Sequence, residues 1–354
     1  MSSVVEPKKL ISDIGEKGLL RDIVWPICRT DKVLLGVGDD AAVLAIPSGH
    51  NIVVSTDKIP EDLMALKIGL MSYWQYGRYL ATVNISDVAA MGGVPIALLS
   101  TLALPKDFEV DNLRAFVEGF VAGGAEHGVP VVGGDLGGAS AMCVSGTIVG
   151  HIEPGKELKR STARSGDVAF VSGIIGGFST ALAYFLVAKP QGFSLPVAHE
   201  EYLKSKLTLP QAKVATGRLL AQSGKCTSCQ DITDGVGRTL HEIATASNVS
   251  FCLDWESLPI HPATFLVAES LSIPVEKIVF GIGLDLELIG TLTPDMIHHP
   301  AVASQEICII GVVKANAETN SFERGGQIHP IPSAGWQHFA GDIFETTKNA
   351  FRKQ

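Results

Sequence analysis

The stretch VAFVSGIIGGFSTALAYFLVA, Val168 to Ala188, decides between a membrane protein and a globular one. It carries no charge and is long enough to span a bilayer. Glycines and hydroxyl residues interrupt it, however, and divide it into a short β-like run, a glycine turn and a helix over Phe178–Ala188. This pattern is typical of a buried strand–loop–helix unit, so we expect no membrane span.

The composition of the whole chain agrees with a globular protein. Of 354 residues, 46% are hydrophobic and 18% are charged, and this length suggests two domains. The net charge of −9 disfavours a general affinity for nucleic acid or anionic membranes. The six cysteines are widely spread and no secretory signal is visible, so we expect a cytoplasmic protein without a disulfide scaffold.

Helices and strands are predicted to alternate in both halves, which indicates an α/β or α+β fold. The polar stretch 153–167 is the candidate junction between domains at residues 1–155 and 156–354. The predicted strands are Lys32–Leu35, Asn51–Ser55, Val129–Val132, Ala141–Ile152, Phe251–Leu253, Asp285–Thr291 and Ile307–Val313. The predicted helices include a lead-in near Leu10–Val24, then Tyr79–Met91, Val110–Glu126, Pro210–Ser223 and Val236–Ser247.

Aspartates next to glycine or a small polar residue follow apolar runs at five places. Several carboxylates near one another repel, and each is costly to bury alone. Few basic residues accompany them, so Mg²⁺ is a suitable counter-charge, because it accepts carboxylate and hydroxyl oxygens. Ordinary turn chemistry is the alternative for any single cluster. The clusters are Gly36-Val-Gly-Asp39-Asp40, Ser55-Thr56-Asp57, Asn84-Ile-Ser-Asp87, Gly133-Gly134-Asp135 and Asp231-Ile-Thr233-Asp234-Gly235.

Two glycine-rich stretches, Gly36–Gly38 and Gly173–Gly177, are candidate anion-binding nests of backbone N–H groups. Neither matches a Walker A loop, and the chain holds no complete G-x-G-x-x-G motif. Cys226 and Cys229 have C-x-x-C spacing, but no second ligand pair follows at zinc-finger distance.

The order of these motifs resembles that of the thiamine-monophosphate kinases, in the superfamily that includes aminoimidazole ribonucleotide synthase and selenophosphate synthetase. The resemblance runs from about Leu35 to Phe339 and includes Arg160-Ser161, Gly166-Asp167 and the closing Gly335-Trp-Gln-His-Phe339. It implies an N-terminal domain whose strands form a barrel-like dimer interface, a C-terminal α/β domain, and ATP in the cleft of these domains.

The resemblance also implies roles for individual residues. The catalytic role falls to Asp87, Asp135 and Arg160. Nucleotide contacts fall to Gly134, Asp135, Arg160 and Thr233. The implied Mg²⁺ ligands are Asp39, Ser55, Thr56, Asp57, Asp87, Asp135, Asp231 and Asp234.

The acceptor side departs from the family pattern. Met64 stands where the family has a histidine, and Leu284 replaces a glutamate that contacts the substrate. Trp336 remains as an aromatic that can stack on a ring or pack as an anchor. The acceptor is therefore open, and thiamine monophosphate need not be the substrate.

Three functions remain open from the sequence. The first is a Mg²⁺- and ATP-dependent kinase that acts on a small-molecule acceptor, as a homodimer without nucleic acid or membrane partners. The second is a ligase or cyclase that forms a C–N bond through a phosphate-activated intermediate. The third is a nucleotide-binding protein with altered catalysis.

Overall fold

A computed structural model describes residues 8–38, 40–59, 63–315, 319–333, 335 and 348–351. Contacts divide the chain into two units. The N-terminal unit comprises residues 1–88 and 94–154, and the C-terminal unit comprises residues 89–93 and 155–354. Each unit combines helices with one β-sheet, which confirms the α+β class.

The N-terminal unit is built on a four-stranded sheet in the order β1-β4-β2-β3. Strand β4 is antiparallel to β1 and β2, whereas β3 is parallel to β2. Among the described residues this sheet is open and does not close into a barrel. The strands are β1 Asn51–Ile59, β2 Val94–Leu104, β3 Val131–Gly138 and β4 Cys143–Ile152. The helices are α1 Glu16–Leu19, α2 Trp25–Cys28, α3 Met64–Lys67, α4 Tyr73–Ala90 and α5 Val110–Ala125, with a 3-10 turn at Ile11–Asp13 and a π segment at Leu20–Val24.

Glycines allow α4 and α5 to approach each other closely. A Cβ on Gly77 would lie 1.9 Å from the carbonyl oxygen of Phe116, and a Cβ on Gly119 would lie 1.8 Å from that of Trp74. Gly150 of β4 meets α4 in the same way, since its Cβ would lie 2.8 Å from Val88. Helix α4 therefore lies between α5 and one face of the sheet.

The C-terminal unit contains a seven-stranded, mostly antiparallel sheet in the order β11-β10-β7-β9-β5-β8-β6. Only β7 and β10 pair in parallel among its described strands. The strands are β5 Val168–Val171, β6 Cys226–Asp231, β7 Val249–Asp254, β8 Leu288–Leu292, β9 Cys308–Ala315, β10 Ser321–Arg324 and β11 Gln327–Pro330. The helices are α6 Gly177–Ala183, α7 Val197–Thr208, α8 Val214–Ser223, α9 Val236–Ser247, α10 Pro262–Leu271, α11 Val275–Val279 and α12 Pro300–Ala303. A π segment covers Tyr184–Ala188, and 3-10 turns cover Lys189–Gln191, Trp255–Ser257 and Pro294–His298.

The stretch Val168–Ala188 confirms the predicted strand–loop–helix unit. It forms β5, a glycine loop, α6 and a π-helical continuation, and β5 and the helical part are buried throughout. Phe170 of β5 joins a core with Leu220, Leu288 and Leu292. No helix in the described part of the chain is long and apolar enough to cross a membrane. The uncharged stretch is therefore a protein core.

The structure differs from the sequence prediction at several places. Lys32–Leu35 is not a strand, because only Leu35 forms an isolated bridge, with Val43 across the glycine-rich turn. The structure adds β2, Val94–Leu104, for which no strand was predicted. Helix α4 also begins six residues before the predicted Tyr79, whereas α9 has the predicted bounds.

Candidate functional site

Strand β1 and helix α4 bring two of the predicted motifs into contact. The Ser55 hydroxyl donates a hydrogen bond of 2.5 Å to Oδ2 of Asp87. The hydroxyl of Thr56 donates to the carbonyl oxygen of Gly146 at 2.7 Å, on the neighbouring strand β4. Residues 55–57 therefore place two hydroxyl groups and a carboxylate in sequence along β1, and Asp87 adds a second carboxylate to the Ser55 end.

The amide of Asn84 fixes β1 against α4. Its Oδ1 accepts a hydrogen bond of 3.1 Å from the backbone N–H of Asp57, and its Nδ2 donates to the carbonyl oxygen of Leu80 at 2.9 Å. Asn84 is fully buried, and a Cβ on Gly146 would lie 2.4 Å from its Nδ2. Asn84 and Gly146 thus set the distance between the helix that carries Asp87 and the strand that carries Asp57.

Gly134 and Asp135 lie on the edge strand β3. Gly134 pairs with Ser100 of β2 at a φ of +151°, and a Cβ there would lie 2.0 Å from the carbonyl oxygen of Ser100. Asp135 is the next residue, and it is exposed. Strand β1 lies at the opposite edge of the sheet. The structure therefore joins Ser55 directly to Asp87, whereas Asp135 is placed two strands beyond β4.

In the C-terminal unit, β6 ends at Asp231 and α9 begins at Val236, so that the second aspartate motif forms the connecting loop. Asp231 is buried, whereas Thr233 and Asp234 are partly buried. Gly235 has a φ of +104°, and its Cβ would lie 1.8 Å from the carbonyl oxygen of Gly281. Backbone hydrogen bonds also join Ile232 to residues 286 and 287. The loop conformation thus depends on close backbone contact.

Arg160 is one of the most exposed residues of the predicted set, with 58% of its side chain accessible. Its Nη1 lies 3.9 Å from Oε2 of Glu242 on α9, and Arg238, one turn earlier, donates from Nε to Oε1 of the same carboxylate at 3.0 Å. Arg238 and Glu242 were not predicted as site residues. Their i,i+4 spacing after Asp234, on a helix that was predicted correctly, is the signal that could have indicated them.

The glycine loop of residues 173–177 holds a carboxylate of the chain itself. Asp285 accepts hydrogen bonds from the backbone N–H groups of Gly176, at 2.7 Å, and Phe178, at 2.9 Å. Burial raises the pKa of the Asp285 carboxyl, and these two N–H donors act in the opposite direction. The predicted anion nest therefore exists, and Asp285 occupies it.

Glu287, two residues later, is also buried and receives several donors. The Ser172 hydroxyl donates to its Oε2 at 2.8 Å, and Nζ of Lys213 lies 3.1 Å from the same oxygen. A Cβ on Gly173 would lie 2.6 Å from Glu287 Oε2. Burial, with the Asp285 and Glu287 charges, also raises the pKa of the Tyr202 hydroxyl. Lys213 thus neutralises a carboxylate inside this unit.

The positions expected to contact the acceptor are apolar where the structure describes them. Met64 is buried at the start of α3, and Leu284 is partly buried immediately before Asp285. Asp39 and Trp336 lie outside the described residues. Asp40, next to Asp39, is exposed.

The oxygen donors of the predicted metal ligands fit Mg²⁺ by chemical type, because carboxylates and hydroxyls are hard ligands. In the described ranges, which exclude Asp39, no three His, Cys, Asp or Glu side chains form a ready metal-ligand group. The direct contact between Ser55 and Asp87 supplies one carboxylate and one hydroxyl. The complete ligand set therefore stays a prediction.

Two domain families match this chain. Residues 38–152 match the N-terminal domain of AIR synthase related proteins, and residues 164–321 match the C-terminal domain. The chain belongs to the family of AIR synthase related proteins.

Relatives narrow this class. A thiamine-monophosphate kinase of Pyrococcus abyssi (strain GE5 / Orsay) is 32% identical over 311 residues, which are 87% of this chain and 92% of that protein. The crystal structure of thiamine-monophosphate kinase from Stenotrophomonas maltophilia K279a has a TM-score of 0.72 at 28% identity and covers 87% of this chain and 96% of that one. The structure described as AaThiL complexed with AMPPCP and TMP has a TM-score of 0.70 at 26% identity. The match covers 95% of this chain and 100% of that one. This chain is a thiamine-monophosphate kinase-like, ATP-dependent kinase.

Gly134→Ala tests the close backbone contact at the predicted nucleotide residue. Because the new Cβ would meet the Ser100 carbonyl oxygen, we expect a loss of about 1–3 kcal/mol in the free energy of unfolding. Gly137→Ala, on the same strand, is the control, since its Cβ would meet nothing within 4 Å. Chemical denaturation measures the free energy of unfolding of both variants. Equal stability of the two would contradict the role assigned to Gly134.

Proposed function

We propose that this kinase transfers a phosphoryl group from Mg²⁺-bound ATP to a small-molecule acceptor other than thiamine monophosphate. The observation that carries the acceptor proposal is the apolar character of Met64 and Leu284. In the family pattern, a histidine and a glutamate at these positions could hydrogen-bond or pair with a cationic ring. Here a thioether and an alkyl chain replace them, which favours a less polar acceptor.

The oxygen-rich motifs of both units support the Mg²⁺ part of the proposal. Ser55 and Asp87 would hold a cation at the junction of β1 and α4, and Asp231 and Asp234 would do so at the end of β6. Bound Mg²⁺ would neutralise charge on the phosphate oxygens. Arg160, whose guanidinium is exposed, would bind a phosphate oxygen and orient it.

The chemistry requires no protein nucleophile. The bond between the γ-phosphorus of ATP and its bridging oxygen breaks, ADP leaves with the electron pair, and an acceptor oxygen forms the new bond to phosphorus. An acceptor that is already an ionised phosphate has no proton to lose at that oxygen. The task of the chain is then to orient the two phosphates in line and to exclude water.

Thiamine monophosphate is the second candidate acceptor. It is favoured by the relative in Pyrococcus abyssi, which is named a thiamine-monophosphate kinase and matches 87% of this chain. Under this alternative, the substitutions at positions 64 and 284 change how tightly the acceptor binds rather than which acceptor reacts.

An acceptor panel separates these candidates. The purified chain is incubated with Mg-ATP and thiamine monophosphate, or with other phosphate monoesters, and products are followed by phosphorus NMR and mass spectrometry. We expect ADP and a phosphorylated product from an acceptor without a thiazolium ring, with poor turnover of thiamine monophosphate. The double variant Met64→His, Leu284→Glu is expected to increase thiamine diphosphate formation. Efficient formation of thiamine diphosphate by the unchanged chain would favour the second candidate, and phosphate release with a new C–N bond would refute the kinase.

Asp87→Asn tests the metal proposal. Asparagine retains an acceptor for the Ser55 hydroxyl but removes the charge that would hold Mg²⁺. We therefore expect turnover to fall by more than about 100-fold, which is a larger loss than that caused by removing a residue that only supports a metal ligand. Asp111→Asn, at the exposed start of α5, is the matched control and should retain activity. The rate is measured over a range of Mg²⁺ concentrations. If the rate of the Asp87→Asn variant depends on Mg²⁺ concentration as that of the unchanged chain does, Asp87 is not a metal ligand.

We also propose that the chain forms a homodimer through the open face of its four-stranded sheet. Ile52 and Val54 of β1 are 58% and 62% exposed, although both are large and apolar. Val53 between them pairs with Gly150, which faces α4, so that Ile52 and Val54 project from the opposite face. A sheet face with such residues is suited to a second copy of the same surface.

Val54→Asp tests this interface. A carboxylate buried without a partner in the dimer is costly, and we expect the variant to be monomeric at concentrations where the unchanged chain is dimeric. Ile328→Asp, on the exposed strand β11, is the control for a new surface charge. Sedimentation velocity measures the mass of each. A monomeric unchanged chain, or a dimeric Val54→Asp variant, would refute the proposed surface.

A further inference from the structure

Helix α9 and the segment before β5 form a charged cluster that the proposed function uses only in part. We call it the arginine cluster and define it as Arg160, Arg238, Glu242 and Gln230. One carboxylate, that of Glu242, connects the other three residues. Only Arg160 has so far been given a role, as a phosphate-binding residue, so the functions of its neighbours are open.

Glu242 receives donors on both of its oxygens. Arg238 donates from Nε to Oε1 at 3.0 Å, and Gln230, a buried residue of β6, donates from Nε2 to Oε2 at 2.7 Å. Gln230 thus links the Glu242 carboxylate to strand β6. The carboxylate has a fixed position, and its charge is available to more than one guanidinium.

Arg160 lies near the same carboxylate without a hydrogen bond to it. The distance from its Nη1 to Glu242 Oε2 is 3.9 Å, longer than a hydrogen bond. The backbone of Arg160 is nevertheless fixed, because the Ser247 hydroxyl at the end of α9 donates to its carbonyl oxygen at 2.7 Å. The guanidinium of Arg160 is therefore held in the vicinity by charge and can turn toward an anion.

Arg238 lies beside one predicted metal ligand and beside the glycine that opens the closing motif. Its Nε lies 3.8 Å from Oδ2 of Asp234, one of the predicted metal ligands. A Cβ on Gly335 would lie 2.7 Å from Arg238 Cβ and 2.9 Å from its Cδ, so the stem of the arginine packs against the backbone of Gly335. Arg238 therefore lies near both Asp234 and Gly335.

The cluster contributes little to the stability of the fold. Arg238 and Glu242 each expose about a third of their side chains, and Arg160 exposes more than half. Exposed ion pairs contribute about 0–1 kcal/mol, because water screens the charges and the long side chains lose freedom. The two guanidiniums are balanced by the carboxylates of Glu242 and Asp234, and they present planar N–H donors that match phosphate oxygens.

We propose that Arg238 is a second phosphate-binding residue beside Arg160, and that Glu242 is the positioning residue that holds both guanidiniums on one side of α9. The ligand chemistry is a phosphate group. It belongs either to the nucleotide or to a phosphorylated acceptor. The role of Arg160 rests on the proposed function, whereas those of Arg238 and Glu242 rest on the contacts of the cluster.

Binding of the non-hydrolysable ATP analogue AMPPCP tests the proposal without turnover. Affinity is measured by calorimetry at constant Mg²⁺ for the unchanged chain, Arg238→Gln, Arg160→Gln and Glu242→Gln. Because a hydrogen bond to a charged group is lost, we expect Arg238→Gln to weaken binding by about tenfold. Arg238→Lys keeps the charge and the helix and should recover part of the loss. Lys225→Gln, which removes one charge from an exposed pair with Asp295, is the control and should bind as the unchanged chain does.

The positioning role of Glu242 is tested by a double-mutant cycle. If Glu242 acts through the two arginines, Glu242→Gln should add less than about twofold to the loss already caused by Arg160→Gln combined with Arg238→Gln. The thermal unfolding of each variant is followed in parallel and should stay close to that of the unchanged chain. Fully additive losses would show that Glu242 does not act through the two arginines, which would refute its positioning role.

The second part of the experiment measures the KM of the acceptor. If Arg238→Gln leaves AMPPCP affinity unchanged but raises the acceptor KM about tenfold at constant kcat, the phosphate belongs to the acceptor. If neither the affinity nor the KM changes by more than about twofold, Arg238 binds no phosphate and the proposal is wrong. Weaker AMPPCP binding by a chain that phosphorylates nothing would keep the proposal and refute the proposed function, so the two failures are distinguishable.

Discussion

The candidate site residues of the N-terminal unit depend on one buried amide. Asn84 joins α4 to β1 by accepting from the backbone of Asp57 while it donates within its own helix to Leu80. A buried amide must have its hydrogen bonds satisfied, so its two partners define both the height and the rotation of the helix over the strand. Asp87, three residues later, is thereby brought to Ser55. The absence of a side chain at Gly146 makes room for this amide.

The C-terminal unit uses buried carboxylates in an analogous way. Asp285 satisfies backbone N–H groups at the start of α6, and Glu287 accepts from Ser172 and pairs with Lys213. Each charge is costly to bury alone and is tolerated because donors surround it. These carboxylates flank the segment whose backbone pairs with Ile232, in the middle of the aspartate loop. The loop is thus positioned by charges that do not themselves belong to the predicted ligand set.

The arginine cluster places a third type of constraint next to that loop. Glu242 is anchored by Gln230 of β6, the same strand that ends at Asp231. A single strand therefore carries both a predicted metal ligand and the support of the cluster. Phosphate binding and cation binding in this unit would then share one rigid element, which suits a reaction that depends on the orientation of charged groups.

Much of the fold could be predicted from the sequence, for identifiable reasons. Helix α9 has its predicted bounds because Gly235 caps its N-terminus and Asn248, with a positive φ, caps its C-terminus. Strand β2 was not predicted, since a long apolar run has no period that separates a buried strand from a buried helix. Lys32–Leu35 has the composition of a strand but only one bridge, because pairing requires a partner that local sequence does not supply.

By itself, the sequence determined the α+β class, the ordered aspartate motifs and the apolar side chains at Met64 and Leu284. These are properties of residue type and spacing along the chain. Only the tertiary structure decided that Asp87 meets Ser55, that Asp285 fills the glycine nest, and that Glu242 connects two arginines. Such contacts join residues from separate elements, and they follow from how buried polar groups find partners when those elements pack, which spacing along the chain does not contain.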